Sequence, residues 1–144
     1  MKKACVVYIP ETEYMLEEVN TRLSKEGYDI CMVELNISWH KINKTPELLE
    51  CQKNADICFF LLDEKCDNYP SFSGAVSGAN GQGCNIIGVK GKSNYIPKDI
   101  DERANSVLPI NSSSLSSSLN GTSNWEELDG TPMAKRGIQR VRCQ

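Results

Sequence analysis

The stretch ADICFFLLDEK, residues 55–65, decides the fold class. Its centre is a run of six consecutive apolar residues, Ile57 to Leu62, with an aspartate on each side. An apolar run of this length is typical of a strand buried on both faces, because an exposed face would show polar residues at alternate positions. We therefore predict that this stretch forms the central strand of a sheet that other elements cover on each face.

Helical patterns and further apolar runs alternate on both sides of this stretch. Apolar residues at helical spacing predict a helix over residues 12–26, with Gly27 at its C-cap. A second helix is predicted over residues 45–54, where Thr45 and Pro46 match an N-cap followed by proline at the first helical position. The remaining predicted strands are residues 4–9, 28–35, 84–90 and 105–110.

This alternation predicts an α/β fold. Strands that alternate with helices pair in parallel through right-handed crossovers, which places helices on both faces of the sheet. We expect a flavodoxin-like open sheet of about five parallel strands in the order 2-1-3-4-5. In such sheets ligands bind at the carboxyl ends of the strands, near the switch point between the first and third strands.

Composition and charge exclude several functional classes. The 144 residues suit one domain with its own core, and no apolar run approaches the length of a membrane span. A net charge of −3 makes general nucleic-acid binding unlikely as a function, since such domains normally carry a basic excess. The N-terminal MKKACVVYIPE lacks a signal-peptide core, so we expect a first strand and a cytoplasmic protein.

The seven cysteines predict neither a disulfide framework nor a metal site. No CxxC pair occurs, and the single histidine, His40, has no cysteine at a zinc-ligand spacing. Four cysteines lie inside apolar runs, where a free thiol behaves as a small buried hydrophobe. We expect reduced, buried thiols, and we expect neither a metal nor a cofactor.

The chain changes character after residue 110, the end of the predicted α/β core of residues 1–110. Six of the seven residues 112–118 are serine, which predicts a surface loop. A short helix is predicted around residues 123–128, with Ser123 as its cap and Glu126 completing a capping box. Residues 111–134 are thus expected to complete the same domain, ahead of a basic tail at 135–144.

Two segments fall where the topology places ligands. Pro10 and Glu11 follow the first strand, and Asp63 follows the central one. Carboxyl groups at this edge can bind ribose hydroxyls or stabilise an oxocarbenium-like centre, so Glu64 and Asp67 are candidate catalytic residues. Polar residues after a buried strand are also common without any function, and the sequence leaves both interpretations open.

The glycine-rich stretch SFSGAVSGANGQGCNIIGVK, residues 71–90, also has two interpretations. Small side chains let a ligand approach the backbone, and a helix beginning near Ser71 to Ser73 would offer free N–H groups to a phosphate. The alternative is a helix that simply packs closely on the sheet and ends at Asn80-Gly81. The ligand hypothesis selects small residues at four positions, Ser73, Gly74, Ser77 and Gly78.

The order of these segments resembles the nucleoside 2-deoxyribosyltransferase-like fold and its relative, the TIR domain, over about residues 3–110. Ala55-Asp56 with the following apolar run resembles the third strand of that family. Gly74-Ala75 and Gly78-Ala79 match the small residues of its helix, and residues 83–89 match its fourth strand. The resemblance implies a nucleoside or NAD-like ligand, assembly into oligomers, and a place in nucleotide metabolism or antiviral defence.

One departure from the family shapes the functional hypothesis. Where the family carries its catalytic glutamate, this chain has Val76 and Ser77, which cannot form a glycosyl ester or stabilise a positive sugar. The resemblance therefore implies a sensor or adaptor domain that binds a nucleotide- or nucleoside-derived small molecule without turnover. The alternative is an active enzyme of N-glycosidic bonds in which Glu64 or Asp67 supplies the carboxylate.

Two further segments are candidates for binding. Trp39 with His40 could form a stacking wall beside a titratable ring, or belong to a plain loop. The closing segment KRGIQRVRCQ carries Arg136, Arg140 and Arg142 without one acid, and it could dock on an acidic partner or add to a sheet edge. A solvated tail is the other interpretation. We expect a homo-oligomer or a protein complex formed through this tail.

Overall fold

The computed structural model describes residues 2–39 and 46–133. Its five strands form one all-parallel sheet in the order β2-β1-β3-β4-β5. The strands are Lys2–Tyr8 (β1), Tyr28–Glu34 (β2), Ile57–Leu62 (β3), Asn85–Lys90 (β4) and Ser106–Pro109 (β5). This confirms the predicted fold class and strand order, with β3 at the centre.

In the described part of the chain, five α-helices connect and cover the strands. They are Leu16–Lys25 (α1), Pro46–Lys53 (α2), Pro70–Gly81 (α3), Lys98–Arg103 (α4) and Leu115–Leu119 (α5). The helix predicted over residues 12–26 is divided, because a 3-10 helix over Pro10–Met15 precedes α1. A second 3-10 helix, Glu64–Asn68, leads from β3 to α3, and α4 is an element that the sequence patterns did not predict.

Every residue of β3 is buried, and its side chains alternate between two layers of the core. Cys58, Phe60 and Leu62 pack with residues of α2, α3 and α4 on one face. Phe59 and Leu61 pack with residues of α1 and α5 on the other. Coverage on both faces is the physical reason that β3 has no polar position.

The glycine-rich stretch forms α3, its C-terminal turn and β4. Gly83 has a φ of +77°, so it adopts the left-handed conformation that favours glycine after a helix. Gly88 lies inside β4, where an added Cβ would be 2.8 Å from Leu62 Cδ1 and 3.1 Å from Ile100 Cγ2. These two glycines therefore serve helix termination and close packing.

The predictions for residues 112–128 were wrong about where the short helix lies. The serine-rich segment forms α5, because Leu115 and Leu119 are buried one helical turn apart against the sheet. Residues 124–126 are extended instead of helical, and Trp125 forms a parallel bridge with Val107 of β5. Ser123 donates its hydroxyl to the Asn105 carbonyl at 2.6 Å, so it does not cap a helix.

Serine hydroxyls in this region hold the carboxyl group of Glu126. Ser112 donates its hydroxyl to Glu126 Oε1 at 2.6 Å, and Ser114 donates to Oε2. Glu126 is 9% exposed and Ser112 only 4%. The serine-rich segment is consequently part of the packed structure.

Lys90, the last residue of β4, is fully buried. Its Nζ donates to Asn94 Oδ1 at 2.7 Å and to the Glu126 carbonyl at 2.9 Å. Burial lowers the pKa of this ammonium group, although the carboxyl group of Glu127 favours the charged form. Lys90 therefore joins the end of the sheet to the segment that follows α5.

The prediction of buried thiols holds for five of the six described cysteines, but Cys31 is exposed. It lies on β2, which forms an edge of the sheet, so the apolar run around it faces solvent in part. Among the helices of the described residues, none is long and apolar enough to cross a membrane.

Candidate functional site

A groove lies beside the carboxyl ends of β1 and β2. It has a volume of about 350 Å³, and we call it the strand-end groove. Tyr69, directly before α3, also lines the groove, so the connection that follows β3 forms part of the groove wall. The residues that line it are Pro10, Glu34, Leu35, Asn36, Ile37, Trp39 and Tyr69. The groove thus lies on the side of the sheet where parallel α/β folds bind ligands.

Local hydrogen bonds fix both walls of the groove. The buried Thr12 hydroxyl accepts from the Ile9 N–H and donates to the Ile9 carbonyl, both at 3.1 Å, which sets the turn that carries Pro10. On the opposite wall, Asn36 Oδ1 accepts from the Ser38 N–H at 2.9 Å, and the Trp39 N–H donates to the Asn36 carbonyl at 3.0 Å. This asparagine turn positions the indole of Trp39.

A hydrogen bond between Tyr69 and Glu11 joins the connections after β3 and β1. The Tyr69 hydroxyl donates to Glu11 Oε1 at 2.8 Å. Burial raises the pKa of Tyr69 to about 12, and the hydrogen bond and the charge of Glu11 act in the same direction. Burial, followed by the nearby carboxyl group of Glu34, raises the pKa of the Tyr8 phenol. Two carboxyl groups thus lie at the groove beside a phenol that stays protonated.

The raised pKa of Tyr69 predicts a dependence of stability on pH. The folded protein keeps the Tyr69 proton between the ordinary pKa of 10.0 and about 12, where the unfolded chain releases it. The free energy that this difference adds to folding is complete below pH 10 and is lost as the pH rises toward about 12. Urea unfolding should therefore show a smaller loss of stability over this range in Tyr69→Phe than in the wild type.

The variant Glu11→Gln provides the control for this prediction. It keeps the phenol but removes the carboxyl charge, so its loss of stability should lie between those of the wild type and Tyr69→Phe. Equal pH dependence in all three proteins would show that Tyr69 ionises normally.

The acidic residues after β3 do not line the strand-end groove. Asp63 Oδ1 accepts from the Lys65 N–H at 2.9 Å and so caps the 3-10 helix that follows. Asp67 accepts a hydrogen bond from the Tyr95 hydroxyl, and Glu64 is exposed. Pro10 lines the groove, whereas the predicted carboxylates Glu64 and Asp67 are not among its lining residues.

The small residues of α3 form a second group apart from the groove. Ser73 donates its hydroxyl to Asp99 Oδ1 of α4 at 3.3 Å, Gly74 and Gly78 are half-buried, and Ser77 is exposed. Val76 and Ser77 stand where the resembled family has its glutamate, and Val76 is completely buried in the core. Of the residues predicted to bind a ligand, Pro10 and Trp39 line the groove, and Glu11 is bonded to Tyr69, which also lines it.

Sequence reasoning missed most of the groove wall. Glu34 ends β2 beside β1 and Asn36 follows it, so the topology rule could have selected them as it selected Pro10. Tyr69 lies directly before Pro70, the first residue of α3. A search for aromatic residues near strand ends would have selected it. His40 and the tail residues Arg136, Arg140 and Arg142 lie outside the described residues.

Comparison with known proteins found similarity to solved structures and none in sequence. No protein-family model matches the chain, and no curated protein matches it in sequence. The TIR domains in the structure of the activated Roq1 resistosome directly recognising the pathogen effector XopQ match it with a TM-score of 0.44 and 10% identity. The match covers 68% of this chain and 63% of that chain, so it spans less than two thirds of the TIR-domain chain.

Proposed function

We propose that this domain binds a nucleoside-derived ligand in the strand-end groove and acts as a sensor or adaptor without turning the ligand over. The observation that carries the proposal is the presence of two aromatic rings, Trp39 and Tyr69, in one groove with the carboxyl group of Glu34. Aromatic faces stack on nucleobases, and carboxyl groups accept hydrogen bonds from ribose hydroxyls.

The charge of the groove favours the nucleoside part of such a ligand. The described lining residues include Glu34 and no lysine or arginine, and Glu11 is bonded to Tyr69. Carboxyl groups repel a phosphate, whereas they accept hydrogen bonds from neutral sugar hydroxyls. We therefore expect nucleosides to bind more tightly than the corresponding monophosphates.

The absence of turnover rests on where carboxyl groups lie. The position of the family's glutamate is filled by the buried Val76 and the exposed Ser77, and Asp67 is bonded to Tyr95. Neither position supplies a carboxylate beside the two aromatic rings. The alternative, cleavage of an N-glycosidic bond, is favoured by one observation: Glu34 lines the groove and could stabilise a positive sugar.

Calorimetric titration with deoxynucleosides, their monophosphates, NAD and ADP-ribose tests the proposal. We expect at least one nucleoside to bind, and Trp39→Ala to weaken that binding about tenfold through the loss of base stacking. Tyr95→Ala is the matched control, because it removes a part-exposed ring that does not line the groove. Unchanged affinity in Trp39→Ala would contradict the proposed site.

The small-residue side of α3 is tested in the same titration. If Gly78→Glu weakens binding and Trp39→Ala does not, the ligand binds at Ser73, Gly74, Ser77 and Gly78, as the family resemblance implies. Chromatography of each mixture after long incubation tests for released base. Base release that Glu34→Gln abolishes would establish the enzyme, and absence of binding by the whole panel would overturn the ligand proposal.

A further inference from the structure

Five of the described cysteines form a continuous line of thiols across one face of the sheet. Cys5 of β1 lies in register with Cys31 of β2 on one side and with Cys58 of β3 on the other. Cys51 of α2 packs with Cys5, Cys58 and Cys84 in one cluster of the core on that face, and it contacts Cys31 through the Cys31 carbonyl. All five are free thiols.

One end of this line opens to solvent. Cys31 is exposed, whereas the other four thiols are buried. Cys31 and Cys51 both line a second groove, of about 200 Å³, together with Lys3, Asp29 and Glu50 among others. The Cys51 thiol donates to the Cys31 carbonyl at 3.1 Å, so the two residues are in direct contact where a small solute can enter.

The two thiols differ in acidity in a way that suits a reactive pair. The neighbouring thiol of Cys5, followed by that of Cys31, stabilises the Cys51 thiolate and lowers its pKa against the effect of burial. Burial and the contact with Cys51 raise the pKa of Cys31 to about 12. A thiolate attacks an oxidant, and a second thiol beside it then resolves the product.

The line of thiols is not arranged around a central point. Among the described residues, no three His, Cys, Asp or Glu side chains form a group that could hold a metal ion. Adjacent thiols that do not converge suit the formation of a sulfur–sulfur bond better than they suit metal coordination.

We propose that Cys31 and Cys51 form a site of reversible oxidation by small peroxides, which converts the two thiols into a disulfide. The Cys51 thiolate attacks a peroxide oxygen, the O–O bond breaks, and a protonated leaving oxygen departs as water or alcohol. The Cys31 thiol then attacks the sulfur of the Cys51 sulfenic acid, and the hydroxyl leaves as water. In total, two thiols and one peroxide give one disulfide and two molecules of water, or one of water and one of alcohol.

This disulfide would restrain the wall of the strand-end groove. The two cysteines are 20 positions apart in the chain, and the segment between them contains the groove residues from Glu34 to Trp39. Oxidation would therefore tie α2 to β2 around that segment. The proposal itself concerns the thiols alone and stands whether or not the groove binds a nucleoside.

Peptide mapping of the full chain tests the proposal directly. Trypsin places Cys31 on residues 26–41, Cys51 on 45–53, Cys5 on 4–22 and Cys58 on 54–65, so the cross-links among these four differ in mass, and fragmentation of the peptide 66–90 distinguishes Cys66 from Cys84. Reduced protein is treated with one equivalent of hydrogen peroxide, alkylated under denaturing conditions and digested. We expect the Cys31–Cys51 cross-link to form at least about tenfold faster than oxidation of Cys66, a buried cysteine outside the line.

Two variants and a reductant complete the test. Cys31→Ser should abolish the cross-link and leave Cys51 as a sulfenic acid that dimedone traps, while Cys66→Ser should leave the cross-link unchanged. Dithiothreitol should restore both thiols. Oxidation of Cys31 and Cys51 no faster than that of Cys66 in the wild-type protein, or cross-links that join other cysteines first, would overturn the proposal without requiring any variant to fold.

Discussion

Replacing Phe60 with alanine is expected to lower the free energy of unfolding by about 3–5 kcal/mol, a large part of the stability of an ordinary domain. Phe60 is completely buried at the centre of β3. Its ring packs against Phe72 of α3 in an edge-to-face arrangement, with centroids 5.8 Å apart and planes at 74°. The strand neighbour on the β4 side is Gly88, which has no side chain to fill the resulting cavity.

Urea unfolding followed by circular dichroism measures this effect. Phe60→Leu keeps most of the side-chain volume, so it should cost no more than about 1.5 kcal/mol. Ile37→Ala is the surface control, because Ile37 is 60% exposed, and it should change stability by less than about 0.5 kcal/mol. A loss below about 1 kcal/mol in Phe60→Ala, with an unchanged slope against urea, would contradict the placement of β3 between two helical layers.

The second large effect is expected at Glu126. Removing its side chain in Glu126→Ala leaves the hydroxyls of Ser112 and Ser114 without their acceptor in a site that is mostly buried. Buried hydrogen bonds to a carboxyl group contribute more than exposed ones, and an unpaired buried hydroxyl is itself costly. We expect a loss of about 2–4 kcal/mol in the free energy of unfolding.

The adjacent Glu127 offers a matched control in the same segment. Its Oε1 accepts from Asn94 Nδ2 at 2.8 Å in an exposed position, so Glu127→Ala should cost about 0.5 kcal/mol or less. Adding Ser112→Ala and Ser114→Ala to Glu126→Ala should recover part of the loss, because no hydroxyl is then left unpaired. Equal losses at Glu126 and Glu127 would mean that the serines do not hold this carboxyl group.

The architecture could be predicted because its signals are local and strong. Six consecutive apolar residues require two covered faces, and the rule that crossovers are right-handed then restricts the order of the strands. The prediction of a surface loop over the serine-rich segment was wrong because the local signal there was weak. Serine favours loops by itself, but burial of Leu115 and Leu119 against α1 and the sheet outweighs that preference.

The candidate site was predictable only in part. The topology rule found Pro10 and Glu11, because it depends on strand ends alone. It could not show that Asp67 is bonded to Tyr95 or that Asp63 caps a helix, since those contacts depend on how the connections fold back. The capping box predicted between Ser123 and Glu126 is absent: the Glu126 carboxyl group accepts from the hydroxyls of Ser112 and Ser114, which lie 14 and 12 positions earlier in the chain.

The bridge between Val107 and Trp125 limits how the sheet can polymerise. The Val107 N–H donates to the Asn124 carbonyl and the Glu126 N–H donates to the Val107 carbonyl, both at 2.9 Å, so the outer side of β5 is occupied. Within the described residues, β2 is the strand that has a neighbour on one side only. Among the described strands, β2 is therefore the edge through which two copies could join by strand addition, whereas the outer side of β5 is already paired.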